Sequence, residues 1–193
     1  EDIRTLFWRN SILDFDNPAK LLKSLEERPD KEWLRRIHEC EDEKVLKFFL
    51  KDNNTIVQNI DKKKLKILWE CCQIPDFVKK NYGHHLEVVT KVFKFLISDL
   101  GKISNNYMKQ QLSNLDRLDG NIDSISYRIA NVRTWSYVSN KSYWVENQDY
   151  WIERTKSLED KLSDRLHDEL TKSFIDKRAA VLAKGLKQDI TFK

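Results

Sequence analysis

Residues 128–154 interleave Arg128, Arg133, Lys141 and Arg154 with Trp135, Tyr137, Tyr143, Trp144, Tyr150 and Trp151. Cations bind phosphates and flat rings stack on bases, so this alternation carries the ingredients of a single-strand nucleic-acid groove. The C-terminal stretch adds Lys172, Lys177, Arg178, Lys184 and Lys187, and residues 172–193 hold six cations against two anions. The candidate contacts are therefore Arg128, Arg133, Trp135, Lys141, Arg154, Lys177 and Arg178. The competing reading is a helix junction whose Trp and Tyr rings are core, with arginine heads reaching outward along apolar stems. Lys62-Lys63-Lys64 reads as a solvated helix start.

Other chemistry has less to stand on. Asp164, His167 and Asp168 share a helical face and would suit acid–base work. They sit in a charge-rich segment, where a solvated face is the simpler account. Cys40, Cys71, Cys72, His38, His84 and His85 are soft metal ligands by type. None is paired at the Cys-x₂₋₄-Cys spacing of structural zinc, so no metal site is expected. Cys72 reads as core and Cys71 as peripheral. Four glycines, at 83, 101, 120 and 185, rule out a phosphate-binding P-loop and a Gly-x-Gly-x-x-Gly dinucleotide turn. No Gly-x-Ser-x-Gly elbow is present. No catalytic residue is assigned.

The elements that must position these residues are helices. The chain has 193 residues, only 4 Gly and 3 Pro, and none of the Pro lies beyond 75. A β-rich domain needs many more turn residues, whereas long helices with short loops need few. Asn17-Pro18 is an N-cap with Pro at the first helical position, ahead of Leu21, Leu22 and Leu25. Asp30 is expected to cap a helix carrying Trp33, Leu34 and Ile37. Asp42 is expected to cap one carrying Val45, Leu46, Phe49 and Leu50, and Asp61 one carrying Leu65, Leu68, Trp69 and Cys72. Leu86, Val89, Phe93 and Leu96 follow the helical period. Gly101 with Ser104, and then Gly120, mark breaks before new helices. In the longest stretch, 148–184, Leu158, Leu162, Leu166, Leu170 and Phe174 recur every four residues. That spacing drifts about 40° per step, which predicts a helix packed among several neighbours or interrupted by a break. The fold class is all-α, a bundle of short and long helices with no sheet. Two subdomains, 1–100 and 101–193, are the expected division.

Composition narrows the function classes. Six Trp, nine Phe and six Tyr argue against disorder. No apolar run approaches the roughly 20 residues of a membrane span. Three Cys with an adjacent pair suit a reducing compartment. The net charge of +4 is spread evenly along the chain. The start, Glu1-Asp2-Ile3-Arg4, has neither Met nor an apolar h-region, so the chain reads as beginning inside a longer, cytoplasmic protein.

Three stretches carry a family resemblance. The first is Leu68-Trp69-Glu70-Cys71-Cys72-Gln73-Ile74-Pro75-Asp76-Phe77. The second is Asp116-Arg117-Leu118-Asp119-Gly120-Asn121-Ile122-Asp123, running on through Arg128-Ile129-Ala130-Asn131-Val132-Arg133-Thr134-Trp135. The third is Leu158-Glu159-Asp160-Lys161-Leu162-Ser163-Asp164-Arg165-Leu166-His167, continuing through Phe174-Ile175-Asp176-Lys177-Arg178 to Val181-Leu182. With Trp8-Arg9-Asn10-Ser11 and Leu13-Asp14-Phe15, they resemble the region after the motor core in alphaproteobacterial superfamily 2 helicases related to the mitochondrial degradosome RNA helicase. The resemblance spans about residues 7–187. Lys62–Lys66 and Lys79-Lys80-Asn81-Tyr82 depart from it. It implies a helical accessory region that packs on two RecA-like domains and contacts single-stranded RNA without hydrolysing ATP itself. ATP and Mg would belong to the parent's RecA-like core, and an exoribonuclease is a further implied partner, in RNA degradation. The alternative is a docking module that braces the core or recruits a nuclease and touches no RNA.

Overall fold

The computed structural model describes residues 6–51, residue 57 and residues 60–191, the stretch 185–191 as helix backbone alone. Seven helices and one two-stranded pair make up its regular structure, so the all-α reading holds. The chain divides into two compact units, Glu1–Ile103 and Ser104–Lys193.

The first unit opens with β1 (Leu6–Trp8) and α1 (Pro18–Leu25), followed by β2 (Leu34–Arg36), α2 (Glu41–Leu50), α3 (Lys62–Cys72) and α4 (Tyr82–Ile97). Asn17 caps α1 by accepting from the Lys20 N–H, and Pro18 starts it without losing a bond. Asp61 caps α3 in the same way, through the Lys64 N–H. Leu21, Leu25, Val45, Leu46, Phe49, Leu65, Leu68, Val89, Val92 and Phe93 are buried and form the core. Each such side chain contributes about 1.5–3 kcal/mol of burial.

Four expectations are corrected in this unit. β1 and β2 pair in parallel, Leu6 against Leu34, so a small sheet exists where none was expected. Leu34–Arg36 is a strand and not the helix expected behind Asp30. The stretch after Pro29 is too short for a stable unpacked helix, and pairing with β1 satisfies its backbone instead; the Ile37 N–H extends that pairing to the Trp8 carbonyl at 2.9 Å. Cys40, not Asp42, occupies the N-cap of α2. Asp42 is drawn off by Arg9, which forms two parallel bonds of 2.9 Å with its carboxylate and lies 5.5 Å from the Trp69 ring. Cys71 is buried as fully as Cys72, not peripheral, and burial pushes the Cys72 thiol well up, away from thiolate reactivity.

The second unit contains α5 (Asn105–Ser113), α6 (Ile122–Asn140) and α7 (Gln148–Thr191). Ser104 caps α5 through the Tyr107 N–H, and Asn121 caps α6 through the Ser124 N–H. Gly120 precedes that cap at φ 106°, a conformation that favours glycine. Helices α6 and α7 form an αα-hairpin with the most extensive helix–helix contact among the described residues. The expectation for α7 is corrected too: it is continuous, and among the described residues of the second unit α6 is its extensive helical neighbour. Its four-residue stripe simply drifts off that partner. Leu158 and Leu162 are fully buried, Leu166 is half-buried, and Leu170 and Phe174 are 48% and 60% exposed.

Two outcomes follow from this packing. Leu158→Ala is expected to destabilise the second unit by about 2–5 kcal/mol in urea unfolding, whereas Leu170→Ala changes it by under about 0.5 kcal/mol. In the first unit, burial holds the His85 imidazole below the ordinary range, against the raising influence of Asp76 and Glu41; neighbouring His84 also lowers it. The folded state therefore binds fewer protons than the unfolded chain at mildly acid pH. The stability tied to neutral His85 is complete above the unfolded value of about 6.5 and is lost as pH falls below it. Thermal melts at pH 7.5 and 5.5 are expected to show a drop in wild type that His85→Gln reduces.

Candidate nucleic-acid interface

The candidate residues converge on the α6–α7 hairpin, and the sequence explains how they get there. Trp135 lies one helical turn before the end of α6, on its inner face with Ile125, Ile129, Val132 and Val138. Trp144 and Val145 fill the inside of the 141–147 connection, and Trp151 closes the first turn of α7. The three indoles are 3%, 5% and 4% exposed. The Tyr107 ring meets Trp135 edge-on at 5.7 Å, and the Trp151 indole N–H donates to Asn105 Oδ1 at 2.8 Å. These rings offer no open face to a base. The connection itself is pinned by Gln148, whose side-chain amide donates to the carbonyls of Ser139 and Lys141 at 3.0 and 3.2 Å. Tyr143 and Asn147 adopt positive φ, 68° and 49°, which sharpens the turn.

The cations at this junction have internal partners. Arg128 donates to the carbonyls of Arg117, at 2.7 Å, and Asp119, with only 13% of its side chain exposed. Arg154 pairs with Asp116. Arg133 pairs with Glu159 at 2.7 Å, although about half of its side chain remains exposed. Lys141 sits 5.3 and 5.8 Å from the Tyr137 and Trp144 rings and caps the end of α6. Arg165, which sequence reasoning passed over, donates to the Leu118 carbonyl at 3.1 Å. Three arginines, two from α7 and one from α6, thus clasp the loop between α5 and α6. Inside that loop Arg117 pairs with Asp119 at 2.7 Å, and the paired carboxyl is held below its usual range. A short loop holding Asp116 and Asp119 between Arg-bearing helical segments is the sequence signal for this clasp.

Lys177 and Arg178 lie apart from the junction, on the exposed half of α7, with the Arg178 guanidinium 5.7 Å from the Phe174 ring. Lys184 is exposed, and the Lys187 side chain falls outside the described residues. Asp164, His167 and Asp168 are all exposed. Among the described residues no group of three His, Cys, Asp or Glu is placed to hold a metal ion, and no helix is long and apolar enough to cross a membrane. Comparison with family models, with curated proteins and with solved structures finds no match for this chain.

Proposed function

We propose that this chain is an all-helical accessory region of an ATP-dependent superfamily 2 RNA helicase, and that its main task is to brace the parent's RecA-like domains. The reading rests on the resemblance of the three sequence stretches and on one observation: at the α6–α7 junction the indoles are buried and Arg128, Arg133 and Arg154 are paired. Rings and charges used in this way make a stiff hairpin and not an open strand-binding face. In this reading the second and third stretches are packing motifs, since Arg128 and Arg165 from them grip the same loop.

The docking surface is the outer half of α7. Leu170, Phe174, Ile175, Val181 and Leu182 are between 48% and 70% exposed, a patch that suits a protein partner. ATP and Mg belong to the RecA-like domains, and the fragment alone hydrolyses no ATP. The setting is cytoplasmic RNA degradation in a bacterial cell. Recruitment of an exoribonuclease is the neighbouring reading, since an apolar helix face serves either partner.

Sedimentation of the chain with the parent's separated RecA-like domains is expected to show a one-to-one complex. Phe174→Asp with Val181→Asp is expected to weaken it at least tenfold, about 1.4 kcal/mol, without changing the far-ultraviolet spectrum. Absence of a complex with those domains, or a complex indifferent to the double substitution, contradicts the reading.

A further inference from the structure

The indoles of the 128–154 cluster are buried and Arg128 and Arg154 are tied to a loop, but one groove of the second unit has open chemistry. Helix α5 and the first two turns of α7 border a groove of about 620 Å³. One wall is a helical stripe from α5, Asn105, Lys109 and Leu112. The other is Asn147, Tyr150, Trp151 and Arg154, again at helical spacing. Leu112 and Trp151 are buried and form the floor. Tyr150 also lines the groove, 58% exposed, with its ring edge-on to that of Trp151 at 4.8 Å.

The polar groups are arranged by the same contacts. The Trp151 indole N–H occupies Asn105 Oδ1, and the Asn105 backbone N–H donates to Glu146 at 3.0 Å. That fixes the start of α5 against the start of α7. Asn106 and Lys109 are exposed at the rim, and Lys109 makes no ion pair among the described residues. The Arg154–Asp116 pair closes one end. The charges lining the groove are Lys109, Arg154 and Asp116, a net of one positive.

We propose that this groove binds a nucleotide of a single-stranded nucleic acid. Tyr150 supplies the stacking face. The side-chain N–H groups of Asn105 and the amides of Asn106 and Asn147 supply hydrogen bonds for base edges, and Lys109 meets a backbone phosphate. The volume lies within the usual range for small-ligand sites of about 300–1,000 Å³. A docking peptide is a poorer match, because the apolar groups lie on the floor and the rim is amide, ammonium and phenol. The site goes beyond bracing: it shares Tyr150, Trp151 and Arg154 with the cation–aromatic cluster at 128–154 and adds the α5 wall, which that cluster lacks.

The test is fluorescence anisotropy of fluorescein-labelled ten-nucleotide oligouridylate and oligothymidylate titrated with the chain at two salt concentrations. Salt-sensitive micromolar binding is expected. Tyr150→Ala is expected to weaken it about tenfold, the loss of one stacked base, while Tyr150→Phe retains it. Lys109→Glu is expected to weaken it at least fivefold and make the salt dependence shallower. Arg133→Glu, outside the groove, is expected to leave it unchanged. Circular dichroism confirms that each variant is folded. The proposal is overturned if neither oligonucleotide binds, if binding ignores both Tyr150→Ala and Lys109→Glu, or if Arg133→Glu alone weakens it. Capture of a protein partner without oligonucleotide binding overturns it equally. The RecA-domain complex is read separately, so either result stands without the other.

Discussion

The clasp of arginines on the loop between α5 and α6 is the constraint on which the second unit depends. Arg128, Arg154 and Arg165 come from two helices and end on one short loop, at the carbonyls of Arg117, Leu118 and Asp119 and the carboxylate of Asp116. A loop carbonyl turned away from regular structure needs a donor, and a guanidinium offers several in a fixed plane. Once the loop is tied, α5 is held beside the hairpin, and Trp151 can reach Asn105. The groove between α5 and α7 is a consequence of that tie. An arginine in such a position contributes geometry first, and its charge is largely spent.

The first unit is organised by a parallel logic around two paired carboxylates, the buried Glu43 and the partly exposed Asp42. Glu43 is 1% exposed and accepts from Arg36 at 2.8 Å, with Lys47 at 3.2 Å. Arg9 reaches from the segment after β1 to Asp42 on the same helix. These pairs staple β1, β2 and α2 to one another, where a three-residue parallel strand pair has little stability of its own. The chain segment from Trp8 to Asn10 is thereby placed by specific polar contacts, with Asn10 donating to the Ser24 carbonyl at 3.0 Å.

Much of the helical framework was legible in the sequence because caps and breaks are local chemistry. Asn17 with Pro18, Asp61, Ser104 and the glycine at 120 all act within a few residues of themselves. The misses have non-local causes. Asp30 has the right type for a cap, but residues 34–36 find better partners in a strand nearly thirty positions earlier. Asp42 is likewise claimed by a distant arginine. The cation–aromatic cluster at 128–154 was visible, while the direction in which its rings and heads point was not. Periodicity places Trp135 on a helix face; only the fold says which face Trp144 and Trp151 share with it. The groove was harder still to see: Tyr150 belongs to the visible cluster, but Lys109 lies on a separate helix and nothing in its own segment links the two. The wandering stripe of α7 was readable as a drift of about 160° over four steps, and the burial of Leu158 set against the exposure of Phe174 is that drift in three dimensions.

The central claim is that the indoles of the hairpin belong to the interior and its arginines to the loop. Tryptophan accessibility tests it most directly. Replacing Trp8 and the 54% exposed Trp33 with Phe leaves Trp69, Trp135, Trp144 and Trp151, all at most 6% exposed. The account predicts blue-shifted emission from that variant, with little quenching by iodide until urea unfolds the chain. Red-shifted emission and strong iodide quenching in the folded protein would contradict it, and would return the 128–154 cluster to the surface.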